Sequence, residues 1–162
     1  MITVEKSIVI GRPAAEVFAY VADQTNAPDW QRGLLEVRRT TDGPIGIGTR
    51  HTVVRTLMGR RLELSNEYTR YEPNTLVSFE WSGTIPGEAS YIVEPAGTDR
   101  ARLTSRVELQ AAGLLRLAEP LLAVSLRRAV EANLQTLARQ LKAGSSGRSA
   151  PAAVADRGVF GR

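Results

Sequence analysis

The chain has 162 residues, 43% hydrophobic and 23% charged, a length and balance that fit one globular domain around its own core. Its net charge of +4 does not mark a nucleic-acid binder: half of it sits beyond Lys142, where Arg148, Arg157 and Arg162 outnumber Asp156, and elsewhere basic residues alternate with acids, as in Arg60-Arg61-Leu62-Glu63. With no cysteine and one histidine, disulfides, thiolate chemistry and zinc clusters are excluded, and no apolar run is long enough to span a bilayer.

Met1 leads straight into strand-like sequence without the basic and apolar regions of a secretory signal, so a cytoplasmic location is expected. Ile2 to Ile10 alternates as a strand, with Ile2, Val4, Ile8 and Ile10 on one face and Lys6 interrupting it. Gly11 turns the chain, and Pro13 opens a helix at the position where a missing N–H costs nothing. Val17, Phe18 and Val21 form its apolar side and Asp23 ends it; Asn26 is predicted as the N-cap of a second short helix through Trp30, stopped by Gly33. The period then changes to two. Leu35 and Val37 begin a strand, Thr49 to Leu57 forms a longer one, and Met58-Gly59 reads as the hairpin tip. The return strand places Leu62, Leu64, Asn66 and Tyr68 on one face. Leu76 to Ser82, Ala89 to Glu94 and Ala101 to Leu109 complete seven strands, with Val77, Phe79 and Trp81 sharing a face, as do Leu103, Val107 and Leu109.

From Leu114 to Lys142 the period is helical, and Leu122, Leu126, Val130, Leu134, Leu137 and Leu141 fall within a sector of roughly 120°. Pro120 cannot sit comfortably in a helix interior, so the main helix either begins near it or kinks there, a kink or break being favoured, with Gly113 to Glu119 as a separate lead-in turn. Residues 1–142 are the expected domain, and residues 143–162, rich in Gly, Ser and Ala with little to bury, the expected disordered tail.

Ile10-x-x-Pro13 followed by Val17-Phe18, then Asp23, Pro28-Asp29-Trp30, Gly46-Ile47-Gly48 and Tyr71-Glu72-Pro73, resembles the polyketide cyclase/dehydratase-like bacterial branch of the SRPBCC superfamily, which includes START and birch-pollen-allergen proteins. The resemblance implies an α+β helix-grip fold: a seven-stranded curved antiparallel sheet wrapped around a long C-terminal helix, with two short helices between strands 1 and 2. It also implies a cavity between sheet and helix. The matched residues start helices, permit turns or pack, so the resemblance transfers a cavity more safely than a reaction.

Chemistry must come from polar residues on the inward faces. His51 is the one imidazole, sharing a strand face with Val53, Arg55 and Leu57; it reads either as a general acid or base or as a hydrogen-bonded structural histidine. Arg55 reads as a clamp for a carboxylate or enolate, unless a bulge after Val53-Val54 turns it to solvent. Asn66 and Asn133 can orient a ligand carbonyl or satisfy backbone groups. The expected lining comprises these four with Val53, Leu64, Tyr68, Phe79, Trp81, Tyr91, Val107 and Leu126, aromatic surface suited to a flat or long apolar ligand. Trp30 reads as packing under the short helices in preference to gating the pocket. Ser105 has no base at readable spacing, and no phosphate-binding glycine loop or metal cluster is legible, so no cofactor is expected.

The leading expectation is a carrier or sensor of a hydrophobic, lipid-like or polyketide-like small molecule, without nucleic-acid partner or stable membrane insertion. The alternative is a cyclase or dehydratase using neither metal nor nucleotide, in which His51 or Tyr91 moves protons and Arg55 stabilises an enolate. A third reading is a protein-binding module using the outer face, where Arg61, Glu63, Arg102, Arg106 and Glu108 project.

Overall fold

Seven strands pair in the order β1-β7-β6-β5-β4-β3-β2, each antiparallel to its neighbour, in the computed structural model, which describes residues 1–57 and 59–143. They are β1 (Ile2–Ile10), β2 (Leu34–Arg39), β3 (Arg50–Leu57), β4 (Arg60–Glu72), β5 (Leu76–Trp81), β6 (Gly87–Pro95) and β7 (Ala101–Leu109). Helix α1 (Ala14–Ala22) and a 3-10 turn (Gln24–Asp29) join β1 to β2; a second 3-10 turn (Gly113–Ala118) leads into the long helix α2 (Glu119–Ala143). This is the helix-grip architecture. Met58 and the predicted tail from 144 to 162 lie outside the described residues, and Ala143 still belongs to the helix. No described helix is long and apolar enough to cross a membrane.

Where the structure departs from the sequence reading, local hydrogen bonding explains it. The second short helix is a 3-10 turn capped by Asp23, whose Oδ1 accepts from the Thr25 backbone N–H (3.1 Å) and hydroxyl (2.6 Å); Asn26, the expected cap, lies inside the turn and donates to the Tyr20 carbonyl at 3.1 Å. A bulge between Leu34 and Glu36 breaks the alternation of β2, so Leu34 is buried and Leu35 is 54% exposed. Leu62 and Leu57 are also exposed, because β5 ends at Trp81 opposite Asn66 and leaves the tip of the β3–β4 hairpin without a neighbour on one side. At Pro120 the expected break is present: the 3-10 turn ends at Ala118 and α2 starts at Glu119, which places the proline in the first turn.

Helix α2 lies across the inner face. Its Val130, Leu134 and Leu137 pack into one core with Val4, Phe79 and Leu103 from the sheet. Lys6, the charge that interrupts the inner face of β1, is met by Glu131 of α2 at 3.8 Å. The far end of α2 is tied down by Arg12 Nε, which donates to the Leu141 carbonyl (2.9 Å), and by Gln140, which donates to the Asp29 carbonyl. A smaller cluster of Ala27, Leu34, Val37 and Val53, with Leu64 packed against it, seals the 3-10 turn onto β2 and β3.

On the outer face, register aligns four glutamates across neighbouring strands: Glu108 opposite Glu88, Glu88 opposite Glu80, and Glu80 opposite Glu67. Like charges directly opposed on a sheet repel. Arginines relieve the two ends of the row, Arg106 on Glu108 (2.5 and 2.8 Å) and Arg50 on Glu67 (2.8 Å).

Candidate functional site

Register carries the polar residues of the inner face into two groups. Arg39 of β2, His51 of β3, Asn66 of β4 and Trp81 of β5 stand in one cross-strand row; Leu34, Arg55 and Leu62 stand in another, two inward-facing positions farther along β3. Between the groups runs a floor of rings in edge or tilted contact: His51 to Tyr68 (5.3 Å between centroids), Tyr68 to Phe79 (5.9 Å), Phe79 to Tyr91 (5.8 Å) and Tyr91 to Trp30 (5.7 Å).

The first group is organised around His51, fully buried at 0% exposure. Asn66 Nδ2 donates to Gln24 Oε1 at 3.3 Å, which turns Asn66 Oδ1 toward His51 Nδ1 at 3.2 Å. The imidazole proton therefore sits on Nδ1 and the lone pair on Nε2, which has no hydrogen-bond partner among the described residues. Burial pulls the imidazole below its ordinary pKa, opposed by the Asn66 bond and by Asp23. A neutral imidazole with a free Nε2 can accept a proton. Tyr68 beside it is held by its hydroxyl, which donates to the Ala22 carbonyl at 2.5 Å, and burial pushes its pKa well up.

Arg55 organises the second group. The expected alternative, a bulge in β3 that turns Arg55 outward, does not occur: the bulge lies in β2, β3 pairs with β4 without a register shift, and the Arg55 guanidinium interacts electrostatically with Tyr91. Its Nε is buried without a partner, and burial draws its pKa below the ordinary value. Gln31 Nε2 donates to the Tyr91 hydroxyl at 2.9 Å, and burial raises the Tyr91 pKa, keeping it a phenol at neutral pH. Trp30 closes the group with its edge on Tyr91 and a buried, unpartnered Nε1.

The remaining expected residues are distributed as follows. Phe79 is in the floor, while Trp81 borders it, its Nε1 donating to the Ile85 carbonyl at 3.0 Å. Val107 and Leu126 are half-buried against the main core, and Val53 and Leu64 belong to the smaller cluster. Asn133 Oδ1 accepts from the Arg32 backbone N–H at 3.1 Å, so that acceptor secures the segment after the 3-10 turn. The sequence reading missed Gln24, Gln31 and Arg39 and favoured packing over pocket gating for Trp30; no spacing links these four to His51 or Arg55, because only strand register and the path of the 3-10 turn bring them together. Two concavities, of about 470 and 390 Å³, border the glutamate row of the outer face, the first reaching round the sheet end to Asn66, Trp81 and Gly87. Both are lined mainly by charged and polar residues, and the inner-face Asn66 and Trp81 at the edge of the first have their polar groups partnered.

His51 makes a testable contribution to stability. Its pKa in the folded protein lies below 6.5, so between that depressed value and about pH 6.5 the unfolded chain binds more protons than the folded one. Stability is therefore full above about pH 6.5 and declines as pH falls toward the folded value, by about 1.4 kcal/mol per unit of depression. Urea titrations from pH 7.5 to 5 are expected to show this decline in the native protein and a flatter profile in His51→Gln. Because His51 is the one histidine, a flat native profile contradicts its burial as a neutral ring.

The comparisons with known proteins agree with this architecture. A family model described as polyketide cyclase / dehydrase and lipid transport matches residues 1–142. Among curated proteins none matches the sequence. Solved structures share the fold. The di-domain ARO/CYC BexL from the BE-7585A biosynthetic pathway is similar at 18% identity with a TM-score of 0.75, the match covering 91% of this chain and 48% of that one, so this chain spans about half of the di-domain protein. The Zhui aromatase/cyclase from Streptomyces sp. R1128 is similar at 15% identity and TM-score 0.70, covering 86% and 93% of the two chains. A START superfamily protein from Mycobacterium smegmatis is similar at 16% and 0.67, covering 86% and 98%. Identities this low establish the fold alone; with the family match running through both 3-10 turns, all seven strands and nearly all of α2, the chain belongs to the polyketide cyclase / dehydrase and lipid transport family.

Proposed function

We propose that the protein binds a hydrophobic small molecule, lipid-like or polyketide-like, between the inner face of the sheet and α2. The observation that carries the reading is the ring floor from His51 to Trp30, flanked at both ends by buried polar atoms without partners. A purely structural core has no need of such atoms, since each one left unpaired costs about 1–3 kcal/mol. An apolar ligand with a few polar groups satisfies both surfaces. The family description joins cyclase and dehydrase chemistry to lipid transport, and uptake of an apolar molecule is common to both. Native mass spectrometry of the purified protein, followed by extraction and a broad panel of lipids and aromatic polyketides, is expected to find an apolar compound bound one per chain. Failure of every compound to bind or raise the melting temperature overturns the reading.

A further inference from the structure

Six buried side-chain atoms have no hydrogen-bond partner among the described residues, and their chemistry is lopsided. Four are obligate donors: Gln24 Nε2, Trp30 Nε1, Arg39 Nε and Arg55 Nε. The fifth is the His51 Nε2 lone pair, and the sixth, Thr69 Oγ1, sits in the bulge of β4. Among the described residues no ion pair holds Arg39 or Arg55. Arg39 also donates to the Gly43 carbonyl, whereas Arg55 is half-buried with its Nε out of contact with water and without a partner, and partial desolvation of a guanidinium that has no counter-charge is costly. The Trp30 indole, itself 4% exposed, packs on Tyr91, whose hydroxyl already accepts from Gln31 and so has its own proton to donate; β2 register sets Arg55 opposite Leu34, just after this segment, within electrostatic reach of Tyr91.

We infer that this corner is an anion site: the carboxylate of an otherwise apolar ligand seats on Arg55 with the Trp30 indole and Tyr91 hydroxyl as further donors, its hydrocarbon body over Phe79 and Tyr68. This rests on the proposed binding of a hydrophobic molecule and names its class as an apolar carboxylic acid. Arg55 supplies charge and a fixed fork, and the flanking donors discriminate an acid from its neutral ester. His51, four residues back along β3 and so about 13 Å away, lies at the other end of the floor.

Isothermal titration with dodecanoate and methyl dodecanoate tests this. The native protein is expected to bind the acid at least about tenfold more tightly than the ester, and Arg55→Met to remove that preference while still binding the ester. Arg55→Lys, which keeps charge but loses the fork, is expected to fall between. Thermal unfolding separates this from a structural role: Arg55→Met should be as stable as the native protein or more so, because it deletes a partly desolvated charge that has no counter-charge. Equal binding of acid and ester, or a preference that survives Arg55→Met, overturns the anion site while leaving apolar binding intact. Binding of neither probe, with the wider panel also silent, overturns the underlying reading and the anion site with it.

Discussion

Tyr68→Ala is expected to lower the stability of the protein by about 3–5 kcal/mol, and Tyr68→Phe by about 1–3 kcal/mol. Tyr68 is 1% exposed and sits between His51 and Phe79, so truncation removes a ring from the floor with no flexible neighbour able to fill the space. Its hydroxyl also satisfies the carbonyl of Ala22, the last residue of α1, one of the acceptors that a helix end leaves without an internal partner. The Phe variant isolates that bond; the Ala variant adds the cavity. Urea denaturation of the three proteins at pH 7.5, where His51 does not titrate, separates the two effects. A loss below about 1 kcal/mol for Tyr68→Ala would show the floor to be loosely packed and the hydroxyl bond to carry no weight.

Gly87→Ala is expected to cost about 3 kcal/mol, a fall in melting temperature on the order of 10 °C for a domain of this size. Gly87 stands on the inner face between Trp81 and Leu109 in the cross-strand register. A Cβ there would lie 2.5 Å from the Trp81 ring, 2.6 Å from the Glu108 carbonyl and 2.8 Å from Leu109 Cδ2. The side chains can move, but the carbonyl belongs to the β6–β7 ladder and moves only if the pairing opens. In the fold the missing side chain of Gly87 is the space into which Trp81 fits. Thermal scans of Gly87→Ala and of the double variant Gly87→Ala/Trp81→Phe check the assignment. Melting unchanged in Gly87→Ala would contradict the close approach.

The helix-grip order was legible in the chain because its signals are local. Alternation with a period of two marks a strand wherever one face is buried, and the sector from Leu122 to Leu141 marks a helix that buries one side. Pro13 stands at the N-cap of α1, and Pro120 lies in the first turn of α2, after the break that the sequence places there. The misreadings arose where a neighbouring strand or a side chain overrode the local pattern. The bulge at Leu34/Glu36 belongs to β2's pairing with β3, and the cap of the 3-10 turn went to Asp23 because its carboxylate reaches two donors of Thr25 at once.

The candidate site divides in the same way. Sequence alone determined which residues could bring chemistry to the inner face, since strand parity puts His51 and Arg55 on one side of β3 and Asn66 and Tyr68 on one side of β4. It also determined that no cysteine or second histidine could join them. Only the tertiary structure decided what surrounds each. Asn66 sets the proton of His51 through Gln24, which comes from the turn after α1, 42 residues before it in the chain. Trp30 and Gln31 reach Tyr91 across 60 residues or so, leaving Arg55 with donors for neighbours and no acid. Hydrogen bonds and burial are set by distance in space, and local periodicity carries no information about which distant segment a curved sheet will fold against.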